Sequence, residues 1–406
     1  MRPLLIALLA LAPARALGAQ LAVRGELVHT MAGDPIRDGV VLIGRDGKIE
    51  AVGPARAVRI PSGYRTLTAK VVTPGLVDAH SVVGLAGALN QPHDQDQLET
   101  SDPLQPELRA VDAYNAREVL VEWLRSFGVT TVHTGHGPGA LMSGQTMVVK
   151  TVGTSVAEAV VDSSTMIAMT LGPDVSRTFA PKSPGTRAKG VAMLRARFVK
   201  AEEYRAKLRT AGSDATKQPP RDLGLDALIP LLEGRRSALI TANSVSEILA
   251  ALRLSEEFGL RLVLDGASEA YLVLPQIKAA GVPVILHPTM ARQSGGTLNG
   301  TLEDAKLLRE AGIPVALQSG FEGYVPKTRV VLFEAALAAA NGLTPAEALA
   351  TITIEAARII GQQARVGSLE RGKDGDVVLF DGDPFEYATH VCTVLIEGRV
   401  VREGCR

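Results

Sequence analysis

The pattern of apolar and polar positions changes character twice along the chain. Up to about residue 72, short β-branched runs at 21–30, 39–44, 49–53 and 65–72 are separated by glycine-bearing turns. Alternation of this kind predicts strands, with Asp46-Gly47 as a hairpin-type turn. The far end repeats the pattern: 376–380 is an apolar strand, and 392–396 and 399–402 flank the turn Glu397-Gly398. Two β-rich ends around a long middle predict one small composite β-sandwich domain built from 20–72 and 366–406.

In the middle the period lengthens. Short apolar runs at 75–80, 130–135, 159–162, 166–171, 238–242, 261–265, 282–287 and 315–319 read as strands. Between them lie helical stretches at 115–127, 189–209, 245–258, 269–280, 302–311 and 328–340, and a further helix is predicted over 346–360 behind Thr344-Pro345. Gly281 and Gly312 follow two of these as helix-ending glycines, and Asn243-Ser244 opens another with capping residues. Strand–helix alternation predicts parallel βα units. Eight strands over 73–365 fit a (β/α)8 TIM barrel. A doubly wound sheet is the alternative, but no G-x-G-x-x-G follows a strand and opens a helix.

Composition sharpens this picture in three places. The chain has 406 residues, 46% hydrophobic, with 43 basic against 43 acidic side chains. That balance, with 4% aromatics, argues against a nucleic-acid partner. The first nineteen residues join a positive start to a short apolar run and small residues, the form of a signal peptide. Its removal takes away Arg2 and Arg15 and leaves a net charge of −2. The run is too short to span a bilayer, so the expectation is an exported, periplasmic or extracellular protein with no membrane span after signal removal. Oligomer formation stays open. The two cysteines, Cys392 and Cys405, lack metal-type spacing and are expected on adjacent terminal strands, bonded or not.

Three motif groups carry a family resemblance. Val72-Thr73-Pro74-Gly75-Leu76-Val77-Asp78-Ala79-His80 resembles the first barrel strand of the amidohydrolase superfamily, and the run from Gly367 to Leu379 resembles that family's re-entry into its sheet domain. The segments Thr100-Ser101-Asp102-Pro103, Gly128-Val129-Thr130-Thr131-Val132 and Gly144-Gln145, with the stretch 251–264, resemble the imidazolonepropionase-related branch. The resemblance implies a TIM barrel with a small β-sandwich. In active members it implies a mono- or binuclear metal centre that hydrolyses carbon–nitrogen bonds. Such a centre needs three or more converging His or carboxylate ligands and a metal-bound water of lowered pKa.

Carried onto this chain, the family's ligand positions fall on His80, Val82, Ala168, Thr241, Gly266 and Gly320. Only His80 offers a family-type ligand; the other five positions are vestigial. No histidine lies between His136 and His287, so no shift of register supplies imidazoles to the third through sixth strands. Since even outer-shell losses cost about 10–100-fold in metal affinity, no family-type centre is expected. The favoured reading is a non-catalytic binding or scaffold homologue without cofactor, its mouth widened by Gly266 and Gly320 to hold a small molecule. The alternative is a zinc-dependent hydrolase on carbon–nitrogen (non-peptide) bonds or dipeptides. Its site would be rebuilt from His80, His136 (or His133) and His287, near Asp265 or the loop residues His93, Asp94 and Asp96.

Other groupings read as ordinary structure. Met142-Ser143-Gly144-Gln145 lacks a nucleophile elbow and reads as a turn into 147–150. Lys182, Arg187, Lys189, Arg195 and Arg197 read as a solvated helix face beside Glu202 and Glu203. Asp94, Asp96 and Glu99 lack the ligand spacing of a calcium loop.

Overall fold

The computed structural model describes residues 19–89, 91–290, 295–320 and 330–405. Residues 1–18, which carry the signal-type run, lie outside the described residues.

The N-terminal strands are β1 (Leu21–Val28), β2 (Ile36–Ile43), β3 (Ile49–Pro54) and β4 (Arg65–Pro74). The middle strands are β5 (Leu76–Ser81), β6 (Val129–Thr134), β7 (Gly144–Gln145), β8 (Met147–Lys150), β9 (Val160–Asp162) and β10 (Met166–Thr170). They continue as β11 (Ser237–Ala242), β12 (Arg261–Gly266), β13 (Val284–Leu286) and β14 (Val315–Leu317). Three more follow: β15 (Val377–Phe380), β16 (Val391–Ile396) and β17 (Arg399–Glu403).

Both β-rich ends enter one seven-stranded sheet, in the order β17-β16-β15-β4-β1-β2-β3. Its seam is β4, parallel to β1 on one side and antiparallel to β15 on the other, with Val72 opposite Val28 and Leu379. Val23, Ile43, Val72, Val377, Leu379 and Leu395 form its buried cluster. Each such side chain contributes about 1.5–3 kcal/mol on burial.

The middle strands form two sheets that meet at both edges. One runs β14-β13-β12-β11-β10-β7 and the other β5-β6-β8-β9. They share the segment 144–150: β7 pairs with β10 and β8 with β6, both antiparallel, and Thr146 between them donates its amide to Met166 at 2.9 Å. At the other edge Ser81 bridges Gly320, whose amide donates to the His80 carbonyl at 3.1 Å. Alternation along the strands sorts the side chains. Val77, Val148, Met166, Leu239, Val263, Ile285 and Ala316 share one buried cluster. Their neighbours Ile240, Leu264, Val284 and Leu317 pack instead with the helical residues Ile248, Leu254, Ile277 and Leu308.

Three expectations about elements need correction. The strand expected at 159–162 is present as β9, but at the edge of the four-stranded sheet beside β8, and the antiparallel segment 144–150 takes the place between the two sheets expected of it. The predicted helix 346–360 is two helices, Pro345–Thr351 and Ile354–Ile359. They break because the Ile352 carbonyl accepts from the Val77 amide at 2.8 Å, while the hydroxyls of Thr351 and Thr353 bond back to Ala348 and Leu349. The helix Leu223–Leu232, capped by Asp222 and holding Pro230, had no counterpart among the predicted helices.

Charge ties the two parts of the molecule together. Lys150 of β8 is buried and places its Nζ 2.6 Å from Asp376 and 3.2 Å from Asp374. Asp374 also pairs with Lys48 and, at 3.0 Å, with Arg365. Cys392 and Cys405 form a disulfide. Among the described residues, no helix is long and apolar enough to cross a membrane.

Candidate functional site

Where β11, β12 and β14 run out at their C-terminal ends, the inward alternation continues from apolar to polar. Two residues beyond Leu239, Val263 and Ala316 stand Thr241, Asp265 and Gln318. These three meet. The Asp265 carboxylate accepts from Thr241 Oγ1 at 2.6 Å and from Gln318 Nε2 at 2.7 Å. It also accepts from His80 Nδ1 at 2.9 Å. His80 and Asp265 are both 3% exposed, and an isolated buried charge there is costly without this partnering.

The electrostatics make His80 and Asp265 an ion pair. Burial opposes charge on His80, but Asp265 beside it, through its charge and hydrogen bond, and Asp78 behind it raise its pKa. Burial likewise opposes the Asp265 carboxylate, and His80, Thr241 and Gln318 overcome it, holding the pKa below the ordinary value. Asp78 sits differently. Burial pushes it up to about 7, although it accepts from the Ser319 amide at 3.0 Å and from the Ser319 hydroxyl.

The neighbouring imidazoles are neutral. Burial lowers His133 to about 3, with the His80 charge adding to the effect. Its Nδ1 lies 2.7 Å from the Ala79 carbonyl, which can only accept, so Nδ1 carries the proton and Nε2 accepts from Thr146 Oγ1 at 2.7 Å. Burial lowers His136 to about 4. Both of its ring nitrogens, and Nε2 of His80, are buried without a hydrogen-bond partner.

The other sequence-derived positions do not converge. Val82 is buried and apolar at 2% exposure, and Ala168 is buried in β10. A Cβ on Gly266 would lie 2.7 Å from Asn243 Oδ1, and one on Gly320 would lie 2.4 Å from His287 Nδ1. The two glycines therefore do not widen the mouth, because Asn243 and His287 fill the space they leave. Between Gly266, His287 and Asp304 remains a cavity of about 20 Å³, room for one water. A groove of about 1310 Å³ lies at the opposite ends of the strands beside Arg261, Pro283 and Pro314. His287 stands 3.4 Å from the buried Glu334.

The remaining groupings are accounted for locally. Asp94 accepts from the amides of Leu89 and Gln91 and from Gln95, so the acidic loop with His93 and Asp96 holds itself together. Ser143 donates to the Gly137 carbonyl. Arg187 and Arg195 pair across to Glu247 and Glu257 of the helix Val245–Phe258, rather than with Glu202 and Glu203 on their own. Gln318 is the partner that sequence reasoning missed; its signal was its place two residues beyond a buried Ala316, in step with Asp265.

A divalent metal does not fit the family positions. Among the described residues, the one group of three or more His, Cys, Asp or Glu ligand atoms within 4.8 Å of one another is Asp381, Cys392 and Cys405, in the terminal sheet. At the strand ends, Asp265 is engaged by three donors of the protein, and Val82, Ala168, Gly266 and Gly320 offer no side-chain donor atom.

In sequence and fold this chain is similar to amidohydrolases and to imidazolonepropionases. A family model described as "Amidohydrolase family" matches residues 273–402. The chain is 29% identical over 185 residues to the imidazolonepropionase of Alkaliphilus oremlandii, covering 44% of this chain and 39% of that one. It is 26% identical over 439 residues to the imidazolonepropionase of Symbiobacterium thermophilum, covering 94% and 95%. The match to the Alkaliphilus protein thus spans well under half of that protein's length. Among solved structures, an amidohydrolase from Thermotoga maritima superposes with a TM-score of 0.89 at 27% identity, over 94% of this chain and all of that one.

Proposed function

We propose that this is an exported amidohydrolase-related protein whose metal centre has been replaced by a buried ion pair, and that it serves as a non-catalytic binding or scaffold homologue. In this reading residues 73–365 are a (β/α)8 barrel closed by the antiparallel segment 144–150 and the Ser81–Gly320 bridge. Residues 20–72 and 366–406 are its composite β-sandwich, and 1–19 the signal peptide. One observation carries the proposal. Asp265, the carboxylate at the end of β12, is held by His80 and Gln318 at one oxygen and by Thr241 at the other, so its charge is balanced and oriented by the protein's own side chains. The filled spaces beside Gly266 and Gly320 point the same way.

The rival reading is a metal-dependent hydrolase on carbon–nitrogen bonds or dipeptides, with zinc on His80, His136 and His287. It draws on Nε2 of His80 and both ring nitrogens of His136, which lack hydrogen-bond partners, while His287 Nε2 faces Glu334 at 3.4 Å. The decisive experiment uses oxidised, disulfide-intact protein dialysed against zinc, manganese or cobalt. Bound metal is then measured, together with hydrolysis of lactams, cyclic imides and dipeptides. The expected outcome is no stoichiometric ion and no chelator-sensitive turnover. Stoichiometric metal with turnover, both lost in His80→Ala, would establish the rival.

A further inference from the structure

The terminal sheet carries a second chemistry, independent of the strand-end site. Cys392 lies in β16, and Cys405 follows β17, held beside it by the Gly404 amide, which donates to the Cys392 carbonyl at 2.7 Å. The ligand atoms of Asp381, Cys392 and Cys405 lie within 4.8 Å of one another. Cys405 is exposed and the other two are half-buried. The groove they line, with Arg24, Arg37 and Lys70, opens to solvent.

We propose that, once its disulfide is reduced, this corner is a binding site for a thiophilic divalent cation of the zinc type, with Cys392 and Cys405 as thiolate ligands and Asp381 as carboxylate ligand. Zinc takes thiolates at about 2.3 Å and carboxylate oxygens at about 2.0–2.2 Å, which puts neighbouring ligand atoms roughly 3.5 Å apart. The sulfurs must separate to reach that spacing. Cys405 can move, because it lies beyond the last residue of β17. Asp381 is already oriented: the His390 amide donates to its Oδ1 at 2.7 Å, and His390 Nδ1 lies 3.1 Å from its Oδ2. Hydrogen bonds of this kind fix ligating carboxylates elsewhere. The carboxylate keeps lone pairs free for an ion.

The redox step balances. A dithiol reductant delivers two electrons and two protons to the Cys392–Cys405 bond and closes to its own disulfide. Binding of the ion then releases the two thiol protons, leaving two thiolates and one carboxylate around it. Oxidised protein cannot bind in this way, since each sulfur is tied to the other. The site is therefore gated by the thiol–disulfide balance of its surroundings.

The test uses the full chain and Co2+, whose thiolate ligation gives a near-ultraviolet charge-transfer band, with Zn2+ as competitor. Reduced wild type is expected to take up one equivalent with the band, and oxidised wild type none. Asp381→Asn, reduced, is expected to weaken binding at least as much as the ~10–100-fold cost of losing an outer partner. Cys405→Ser is expected to abolish the band. Asp381→Asn changes a half-exposed side chain and Cys405→Ser an exposed one, so both test the idea in folded protein. No band in reduced wild type, equal uptake in the oxidised form, or unchanged affinity in Asp381→Asn would each overturn the proposal.

Discussion

Gly320 shows how much a single residue decides here. Its backbone is left-handed at φ 62°, and a side chain would strike His287. Restoring the family's carboxylate there does not restore a ligand site. Gly320→Asp should cost roughly 1–3 kcal/mol, from left-handed strain and the displaced imidazole, with no gain in metal affinity. Urea unfolding measures the loss, and adding His287→Ala should recover the steric part but not the backbone part. An unchanged midpoint in the single variant would refute this account of the position. That Val82, Ala168, Gly266 and Gly320 carry no side-chain donor atom is legible in the sequence, because ligand chemistry is a property of the side chain alone. What packs around them is not. Asn243 and His287 occupy the space beside Gly266 and Gly320 through their packing, and Gln318 joins Asp265 across the intervening β13, a pairing for which the strand-end alternation is the one sequence signal.

At the scale of elements, apolar runs and helix-end signals located most strands and helices, since burial and capping act over a few residues. Direction and partnership did not follow. The segment 144–150 looks like any short apolar strand, and only the edges of β6 and β10 make it antiparallel. Its last residue, Lys150, shows the consequence. A lysine closing an apolar strand reads as an exposed end, yet here it lies at 3% exposure between Asp374 and Asp376. Lys150→Met keeps the length of the side chain and removes its charge, leaving Asp376 without its ion-pair partner. The expected destabilisation is about 3–5 kcal/mol, the usual cost of breaking a buried pair from one side. A loss below about 1 kcal/mol in urea titrations would mean that Lys48 and Arg365 suffice for the cluster.

At the scale of the whole molecule, the buried acids set the response to pH. Burial raises Asp304 to about 8, and Asp78 to about 7. Both hold protons more tightly folded than unfolded, as does His80. Stability that depends on the two aspartates is lost as pH rises from about 3.8 through about 7 and 8, and the part that depends on His80 is lost as pH rises above about 6.5. His133 and His136 act in the opposite sense, losing stability as pH falls from 6.5 towards about 4 and 3. Over that range they offset the two aspartates. The expected profile is nearly flat from about pH 4 to 6.5 and falls by roughly 2–3 kcal/mol between 6.5 and 8, at up to ~1.4 kcal/mol per pH unit for each group. Urea midpoints at pH 6.5 and 8.0 check it. Asp304→Asn should remove more than half of the fall, and a profile rising towards pH 8 would contradict it.

The seam of the terminal sheet has a consequence for synthesis. Strand β4 is made early, but β15, which covers one of its edges, is separated from it by about 300 residues. At ~5–20 residues per second, a ribosome needs about 15–60 s to deliver that cover. Throughout this interval the nascent chain presents Val71 and Val72 on an open strand margin, the kind of surface that recruits holding factors or joins a neighbouring polypeptide. Yield in a cell should therefore depend on translation speed across the middle of the gene more than on the equilibrium strength of the finished fold.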